Sequence, residues 1–265
     1  MTAGQIEISI KQKAYQATTA GERRVAIENL ELSVGTREFL CIVGPSGCGK
    51  TTLLNIIAGL DTNVLGTVKL GNGQSQHNTR ISYMFQTPRL LPWLTVLDNV
   101  QVVLNEAPEN EGKAEALLKR MDLADSIIEF PNRLSGGMQR RVALARAFAT
   151  EPQILLLDEP FVSLDVPVGN LLRQLLLDLW QQSPTTIIFV THDLRESIFL
   201  GDRIAFLSRG PSRVIFDTPI SIPRPRSIDD PQIDEFRKDL LSQHQSLLHG
   251  TTASDSDTNH ASINP

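Results

Sequence analysis

The amino-acid sequence predicts an α/β fold that carries a helical insertion, and three observations support this prediction. An apolar run at 39–43 leads through a glycine-rich stretch into a helical pattern, which is the order strand, turn, helix. Two further apolar runs, at 154–157 and 186–190, are typical of strands buried on both faces of a parallel sheet. Residues 97–133 lack strand signals and show charged, helical spacing, which indicates an inserted helical region.

The composition narrows the class of protein. The 265 residues include 41% hydrophobic and 21% charged residues, ordinary values for one large or two small globular domains. The formal net charge of −5 provides no basic surface, so we expect no nucleic-acid partner. Two cysteines form no disulfide framework, which favours a reducing, cytosolic compartment. We find no signal-peptide pattern and no apolar run long enough to span a bilayer, so we expect any membrane role to come through a partner.

The stretch GPSGCGKTT at 44–52 carries the strongest functional signal, because its spacing and its position between strand and helix are those of a phosphate-binding loop. Its glycines allow backbone N–H groups to turn toward an anion, and the following helix adds the positive end of its dipole. Lys50 can reach the β- and γ-phosphates, and the Thr51 hydroxyl can bind Mg²⁺. The predicted nucleotide-binding residues of this loop are Gly44, Pro45, Ser46, Gly47, Cys48, Gly49, Lys50, Thr51 and Thr52.

Polar residues follow the two later apolar strands, at the edge where open α/β sheets bind ligands. Asp158 and Glu159 come directly after the first of them, and two adjacent acids there are unfavourable unless they face a cation or hydrogen-bond donors. One can hold Mg²⁺ through water while the other polarises a nucleophile. His192 follows the second strand, and this position favours contact with a γ-phosphate over a purely structural role.

The remaining elements are predicted from residue periodicity. Alternating residues indicate a strand at 6–10 and a pair of strands at 25–34. Short strands are predicted at 66–70 and 81–85, on either side of a polar turn at 71–78. An edge strand is predicted at 204–207. Tyr15 follows the first strand, and is either a strand-end aromatic or a platform for a nucleotide base. Helices are predicted at 53–60, 111–121, 123–128, 136–148, 171–180, 194–200 and about 230–248, followed by a disordered tail at 249–265.

Two turns leave alternatives open. Ser135 is a good N-cap, and the sequence Ser135-Gly136-Gly137 at a helix start is either a simple cap or a second anion site. The loop at 88–96 contains two prolines and a Leu-Leu-Pro-Trp cluster. It either buries its own apolar residues or exposes them as a docking surface.

Together, these motifs resemble the ATPase subunit of ABC transporters over residues 5–245. In the terms of that family, the resembling motifs are Walker A at 44–52, the Q-loop glutamine Gln86, the signature LSGGM at 134–138, Walker B at 154–160, the D-loop at 163–165 and the switch histidine His192. The resemblance implies a P-loop NTPase core, which is a mixed sheet with flanking helices, with an antiparallel β subdomain and an inserted helical subdomain at about 88–150. The implied ATPase domain spans 1–248.

The resemblance also implies roles for the site residues. ATP and Mg²⁺ are the expected cofactors, with Tyr15 stacking on the base. The implied catalytic residues are Glu159, His192, Lys50 and Gln86, and the implied Mg²⁺ ligands are Thr51, Gln86 and Asp158. Ser135, Gly136 and Gly137 are implied to close over ATP held by a second ATPase subunit, either an identical chain or a close paralogue.

Finer features resemble importers of nitrate, sulfonates, taurine and related small anions: RLLPWLTVLDNV at 89–100, the GGM of the signature, DEPF at 158–161 and PRPR at 223–226. The chain departs from that branch at Thr36-Arg37, where a glycine is usual before the glutamate, and at Gln139-Arg140-Arg141 after the signature. The resemblance implies an ATP-hydrolysing importer subunit at the cytoplasmic face of the inner membrane. Its implied partners are an integral-membrane permease, contacted at 90–93, and indirectly a solute-binding protein.

Three other functions are weighed against this one. A soluble ABC ATPase acting on nucleic acid or the ribosome is disfavoured by the acidic charge balance and by the lack of a long coiled-coil insertion. A non-hydrolysing nucleotide-binding regulator is disfavoured by the presence of Glu159 and His192. Assignment as a P-loop kinase is disfavoured, because nothing in that class explains the LSGGM motif.

Overall fold

A computed structural model describes residues 6–16, 23–71, 79–183, 185–244 and 246–251. The chain folds into two compact units, the first made of residues 1–78 and 188–265 and the second of residues 79–187. Most of the polar turn predicted at 71–78, and the part of the predicted tail from residue 252 onward, lie outside the described residues.

Nine strands and seven α-helices are described. The strands are β1 (Ile6–Gln16), β2 (Arg23–Val34), β3 (Phe39–Val43), β4 (Leu65–Lys69), β5 (Ile81–Met84), β6 (Ile154–Asp158), β7 (Thr186–Thr191), β8 (Arg203–Leu207) and β9 (Val214–Pro219). The helices are α1 (Lys50–Ile57), α2 (Val96–Gln101), α3 (Lys113–Arg120), α4 (Gly136–Ala149), α5 (Val166–Gln182), α6 (Leu194–Leu200) and α7 (Pro231–Gln243). Among the described residues, none of these helices combines the length and the apolar character needed to cross a membrane.

In the first unit, β2, β1 and β4 form an antiparallel sheet in that order. Its buried face is set by alternation, since Ile6, Ile8 and Ile10 are buried while the residues between them are more exposed. The pair of strands expected at 25–34 is a single long strand, β2, which pairs with β1 along its whole length. This sheet confirms the antiparallel subdomain.

The first unit also contains a mixed sheet, in which β3 is parallel to β8 and β8 is antiparallel to β9. All five residues of β3 are buried, as its continuous apolar sequence predicts. The prediction that 204–207 forms an edge strand was wrong, because β8 lies between β3 and β9. The sequence of β9, VIFDTP, is only partly buried and lacks a clean alternation, so its pattern gave no strand signal.

The helices of the first unit begin as their sequences predict. The Asp193 side chain caps α6, and the Asp230 side chain caps α7 with Pro231 at its first position. α7 ends at Gln243, and a short 3₁₀ turn, Leu247–His249, follows.

In the second unit, β5 and β6 pair in parallel, and the chain between them forms α2, α3 and α4. No strand occurs between β5 and β6 among the described residues, which confirms the helical insertion. α2 begins with a capping box, in which Thr95 and Asp98 bond reciprocally to each other's backbone N–H groups. The helix expected at 123–128 is reduced to a 3₁₀ turn, Ala124–Ser126.

Candidate active site

The backbone of the GPSGCGKTT loop requires glycine at several positions. Gly47 and Gly49 have φ angles of +73° and +114°, which are strained for any residue with a β-carbon. At Gly44, a β-carbon would lie 2.9 Å from Cys48 Sγ and 3.2 Å from the β-carbon of Leu207. Close packing therefore requires glycine at position 44, and the positive φ angles require it at positions 47 and 49.

Lys50 is the first residue of α1 and is only 5% exposed. Its Nζ donates hydrogen bonds to the backbone oxygens of Gly44 at 2.8 Å and Pro45 at 3.0 Å. These bonds fold the ammonium group back across the loop, where a buried positive charge favours an anionic ligand. Thr51 and Ser46 are exposed beside it.

Tyr15, near the end of β1, lies against the same loop. Its hydroxyl is 3.2 Å from Thr52 Oγ1 and donates to Asp61 Oδ2 at 3.2 Å, while the residue remains 42% exposed. Lys13 Nζ lies 4.6 Å from the centre of the ring and 2.6 Å from Asp61 Oδ1. The structure thus holds an exposed aromatic ring at the side of the predicted nucleotide site.

Burial raises the pKa of Asp61, but the hydrogen bond and the positive charge of Lys13 outweigh it, so the pKa lies below its ordinary value of 3.8. Asp61 is therefore ionised at neutral pH and can hold both Lys13 and the Tyr15 hydroxyl.

His192 follows β7 and is exposed. The residues beside it fix its position: Thr191 Oγ1 donates to Glu196 Oε2 at 2.6 Å and accepts a hydrogen bond from Asp193 N at 3.0 Å. The strand end and the first turn of α6 are thereby locked together, which holds the His192 backbone firmly.

In the second unit, Asp158 is the last residue of β6 and is 5% exposed. The Tyr83 hydroxyl lies 3.4 Å from its Oδ2. Burial and the negative charge of Asp158 together raise the pKa of Tyr83 well above its ordinary value, so the phenol keeps its proton. A buried carboxylate with a weak neutral donor is a suitable oxygen ligand for a hard cation such as Mg²⁺.

Glu159 occupies a left-handed conformation, with φ of +43°, and is partly exposed. It begins a tight turn in which Val162 N donates to Glu159 O at 3.3 Å. Arg140, from α4, supports this turn: its Nε donates to Pro160 O and its Nη2 to Val162 O, each at 2.8 Å. Sequence reasoning noted Arg140 only as a departure from a pattern and missed this contact, because the interaction spans twenty residues.

The Ser135-Gly136-Gly137 turn starts the fourteen-residue helix α4. Ser135 Oγ accepts a hydrogen bond from Met138 N at 3.2 Å, which confirms the predicted cap. Ser135 and Gly136 are exposed, whereas Gly137 is buried, and a β-carbon there would come within 2.5 Å of Val168 Cγ1. The turn thus presents an accessible helix N-terminus on its outer side and packs against the start of α5 on its inner side.

Gln86 is exposed just after β5, and the loop at 88–95 follows it. Arg146 donates hydrogen bonds to the backbone oxygens of Pro88 and Arg89, which anchor the start of the loop. Trp93 is 68% exposed, so the apolar cluster presents its tryptophan to solvent instead of burying it.

The structure therefore groups the predicted site residues within each unit. In the first, Tyr15 contacts the GPSGCGKTT loop directly through Thr52. In the second, Arg140 links the helix that Ser135 caps to the turn that begins at Glu159.

Comparison with known proteins gives three further findings. A family model described as ABC transporter matches residues 27–162. The aliphatic sulfonates import ATP-binding protein SsuB of Bacillus subtilis is 43% identical over 243 residues, which cover 91% of this chain and 94% of that protein. SsuB 2 of Burkholderia lata is 41% identical over 91% of this chain and 87% of that protein.

Among solved structures, the chain is similar to the ATP-binding cassette MJ0796 in a dimeric post-hydrolysis state bound to ADP and Pi. The TM-score is 0.71 at 32% identity, with coverage of 82% of this chain and 100% of that chain. A second dimeric structure of the same cassette gives a TM-score of 0.70. These likenesses confirm the predicted P-loop NTPase core with its mixed sheet.

Proposed function

Since the chain belongs to the ABC transporter family and is an ATPase that uses ATP and Mg²⁺, we propose that it powers the import of aliphatic sulfonates. The observation that carries this proposal is the 43% identity to the Bacillus subtilis sulfonate-import ATPase over nearly the full length of both chains. The proposal narrows the small anions expected from the sequence to aliphatic sulfonates, which are the substrates that the names of the similar proteins give.

In the first unit, the loop geometry supports the proposed nucleotide contacts. Lys50 and the backbone N–H groups of 44–52 bind the phosphates, and the Thr51 hydroxyl is a ligand for Mg²⁺. Tyr15 stacks its exposed ring on the adenine base. His192, held at the start of α6, contacts the γ-phosphate or the attacking water.

In the second unit, Asp158 and Gln86 supply oxygen ligands to Mg²⁺, directly or through water. Bound Mg²⁺ neutralises charge on the phosphates. The Glu159 carboxylate accepts a hydrogen bond from the attacking water and orients it. Positioning of this kind, together with charge stabilisation, accounts for most of the catalysis of phosphoryl transfer.

We propose that the active enzyme is a pair of ATPase subunits. Each chain carries one phosphate-binding loop and one LSGGM turn, and the cassette it resembles is dimeric. Ser135, Gly136 and Gly137 of one chain would close over the γ-phosphate of ATP held by the other, using the exposed N-terminus of α4. ATP then holds the two subunits together, and its hydrolysis releases them.

The exposed Trp93 is proposed to contact a short cytoplasmic segment of an integral-membrane permease. In this proposal, the chain lies at the cytoplasmic face of the membrane as a peripheral subunit, residues 1–248 form its ATPase domain, and a solute-binding protein acts on the other side. The Trp93→Ala chain should then lose transport but retain its basal ATPase activity. Unchanged transport by a complex of Trp93→Ala with the permease would contradict the contact.

Uptake measurements test the substrate. Cells that express the chain with its cognate permease and binding protein are supplied with radiolabelled ethanesulfonate, taurine or nitrate. We expect ATP-dependent uptake of ethanesulfonate, and none in a matched strain carrying Glu159→Gln. Uptake of nitrate alone would overturn the sulfonate assignment, and co-purification with nucleic acid in place of a membrane protein would overturn the importer assignment.

A further inference from the structure

The C-terminal segment 246–251 packs against the phosphate-binding loop. It consists of the 3₁₀ turn Leu247–His249, whose Leu247 is buried, followed by Gly250 in a left-handed conformation with φ of +68°. A β-carbon on Gly250 would lie 2.9 Å from Pro45 Cγ and 2.5 Å from Arg209 N. A side chain at this position would collide with Arg209 and with Pro45, so only glycine lets the segment pack this close to the loop.

Arg209 holds this segment in place through two hydrogen bonds. Its backbone N donates to Gly250 O at 2.9 Å, and its Nε donates to His249 O at 2.9 Å. Because one of these bonds comes from the backbone, the segment is fixed to the main chain of the turn between β8 and β9 and not only to a flexible side chain.

The same turn supports the phosphate-binding loop at a second point. Ser212 is fully buried, and its β-carbon lies 3.4 Å from the position that a β-carbon on Gly49 would occupy. Backbone hydrogen bonds hold Ser212 itself in place, since its N donates to Ala26 O and its O accepts from Glu28 N. The C-terminal segment and the 208–213 turn therefore form a continuous support for the loop.

Pro45 connects this support to the catalytic lysine. Its backbone oxygen accepts a hydrogen bond from Lys50 Nζ at 3.0 Å and another from Cys48 N at 3.3 Å. A displacement of Pro45 would thus move an oxygen that orients Lys50. The contact with Gly250 opposes that displacement.

We propose that segment 246–251 is a positioning element for the phosphate-binding loop, and that Gly250 is its key residue. When the segment is docked, Pro45 and Lys50 keep the arrangement that accepts the phosphates. When it is displaced, the loop loses one of its supports and binds ATP more weakly. The inference rests on the proposed phosphate-binding role of 44–52, and it holds whichever substrate is imported.

The first test is Gly250→Ala in the full-length chain. The added methyl group must push the segment away from Arg209 and Pro45, so we expect the KM for ATP to rise about fivefold while kcat at saturating ATP stays within about twofold. Gly112→Ala is a matched control, because Gly112 has nearly the same φ, +70°, but has no atom within 4 Å of its would-be β-carbon. Equal KM values for the two variants, or a fall in kcat without a rise in KM, would overturn the inference.

A second test needs no glycine substitution and remains available if Gly250→Ala fails to fold. Coupling between sites is reciprocal, so ATP must stabilise the docked segment as much as the segment favours ATP. We expect hydrogen exchange of the amides in 246–251 to slow when ATP and Mg²⁺ are added to the Glu159→Gln chain. Unchanged exchange in a chain that demonstrably binds ATP would overturn the inference, whereas failure of the wild-type chain to bind ATP would overturn the proposed function itself.

Discussion

Replacing Asn99 with alanine is expected to release the loop that presents Trp93. The Asn99 side chain is fully buried, and both its amide oxygen and its amide nitrogen form hydrogen bonds with this loop. Its Oδ1 accepts from Leu91 N at 2.8 Å, and its Nδ2 donates to the backbone oxygens of Leu91, Leu94 and Thr95 at 3.1, 3.1 and 2.9 Å. One side chain therefore fixes three points of a segment that contains two prolines and has no strand of its own.

The magnitude follows from these bonds. The two hydrogens of the Asn99 amide group are shared among three acceptors, so the four contacts amount to about three hydrogen bonds, each contributing about 1 kcal/mol to the free energy of unfolding. Water reaches part of the opened loop and offsets some of the loss, which leaves a destabilisation of about 2 to 3 kcal/mol. For a chain of this size, that corresponds to a fall in Tm of about 5 to 10 °C.

The assay compares thermal unfolding, basal ATPase activity and sulfonate transport for Asn99→Ala and for Asn132→Ala, an exposed asparagine on the same unit. We expect Asn99→Ala to lower Tm and to reduce transport several-fold, with basal ATPase activity retained at temperatures well below Tm. The Asn132→Ala chain should match the wild type in all three. Equal Tm values for the two variants, or full transport by Asn99→Ala, would refute the reasoning.

Three further predictions follow. Glu159→Gln should bind ATP with unchanged affinity but lose turnover and accumulate as a dimer, because the amide cannot accept the proton of the attacking water; ATPase assays and size-exclusion chromatography measure this. Arg140→Lys should lower kcat about tenfold to a hundredfold at unchanged KM, because the single nitrogen of lysine does not reproduce the rigid fork by which Arg140 Nε and Nη2 bond Pro160 O and Val162 O. Asp61→Asn should remove a stability contribution that is present above about pH 4 and lost as the pH falls, since Lys13 holds the folded-state pKa of Asp61 below its unfolded value; thermal unfolding across this pH range measures it.

Matched controls separate these effects from general damage. Arg120→Lys, at an exposed position on α3, should leave kcat unchanged, and equal kcat losses in Arg140→Lys and Arg120→Lys would count against the positioning role. Asp229→Asn, at an exposed position, should keep the acid dependence of the wild type. Normal hydrolysis by Glu159→Gln would show that another group orients the water.

The sequence predicted those features that depend on neighbouring residues. The strand, glycine turn and helix around GPSGCGKTT, the Ser135 cap and the Asp230-Pro231 helix start are determined within a few residues, because backbone conformation and local hydrogen bonds decide them. The buried strands β3 and β6 were also clear, since strands buried on both faces are continuously apolar.

The features that sequence reasoning missed depend on distant partners. β9 forms because it pairs with β8, and its own half-buried sequence does not show this. Arg140 reaches a turn twenty residues away, and Gly250 meets Pro45 across about two hundred residues of chain. A single arginine or glycine in a sequence does not indicate which backbone atoms it will contact, so these roles require the fold.

Helix α4 connects two parts of the site whose sequence motifs lie apart. Ser135 caps its N-terminus, where the proposed dimer would place the ATP of the partner subunit, and five residues later Arg140 bonds the turn that begins at Glu159. A β-carbon on Gly137 would lie 2.5 Å from Val168 Cγ1, so the start of α4 lies close against the start of α5. In the proposed dimer, a displacement of Ser135 on ATP binding would reach the turn that begins at Glu159 through α4 and the two bonds of Arg140. In the proposed dimer, each subunit's Glu159 would be positioned in part by the ATP that the other subunit holds, so hydrolysis would require both subunits to be closed.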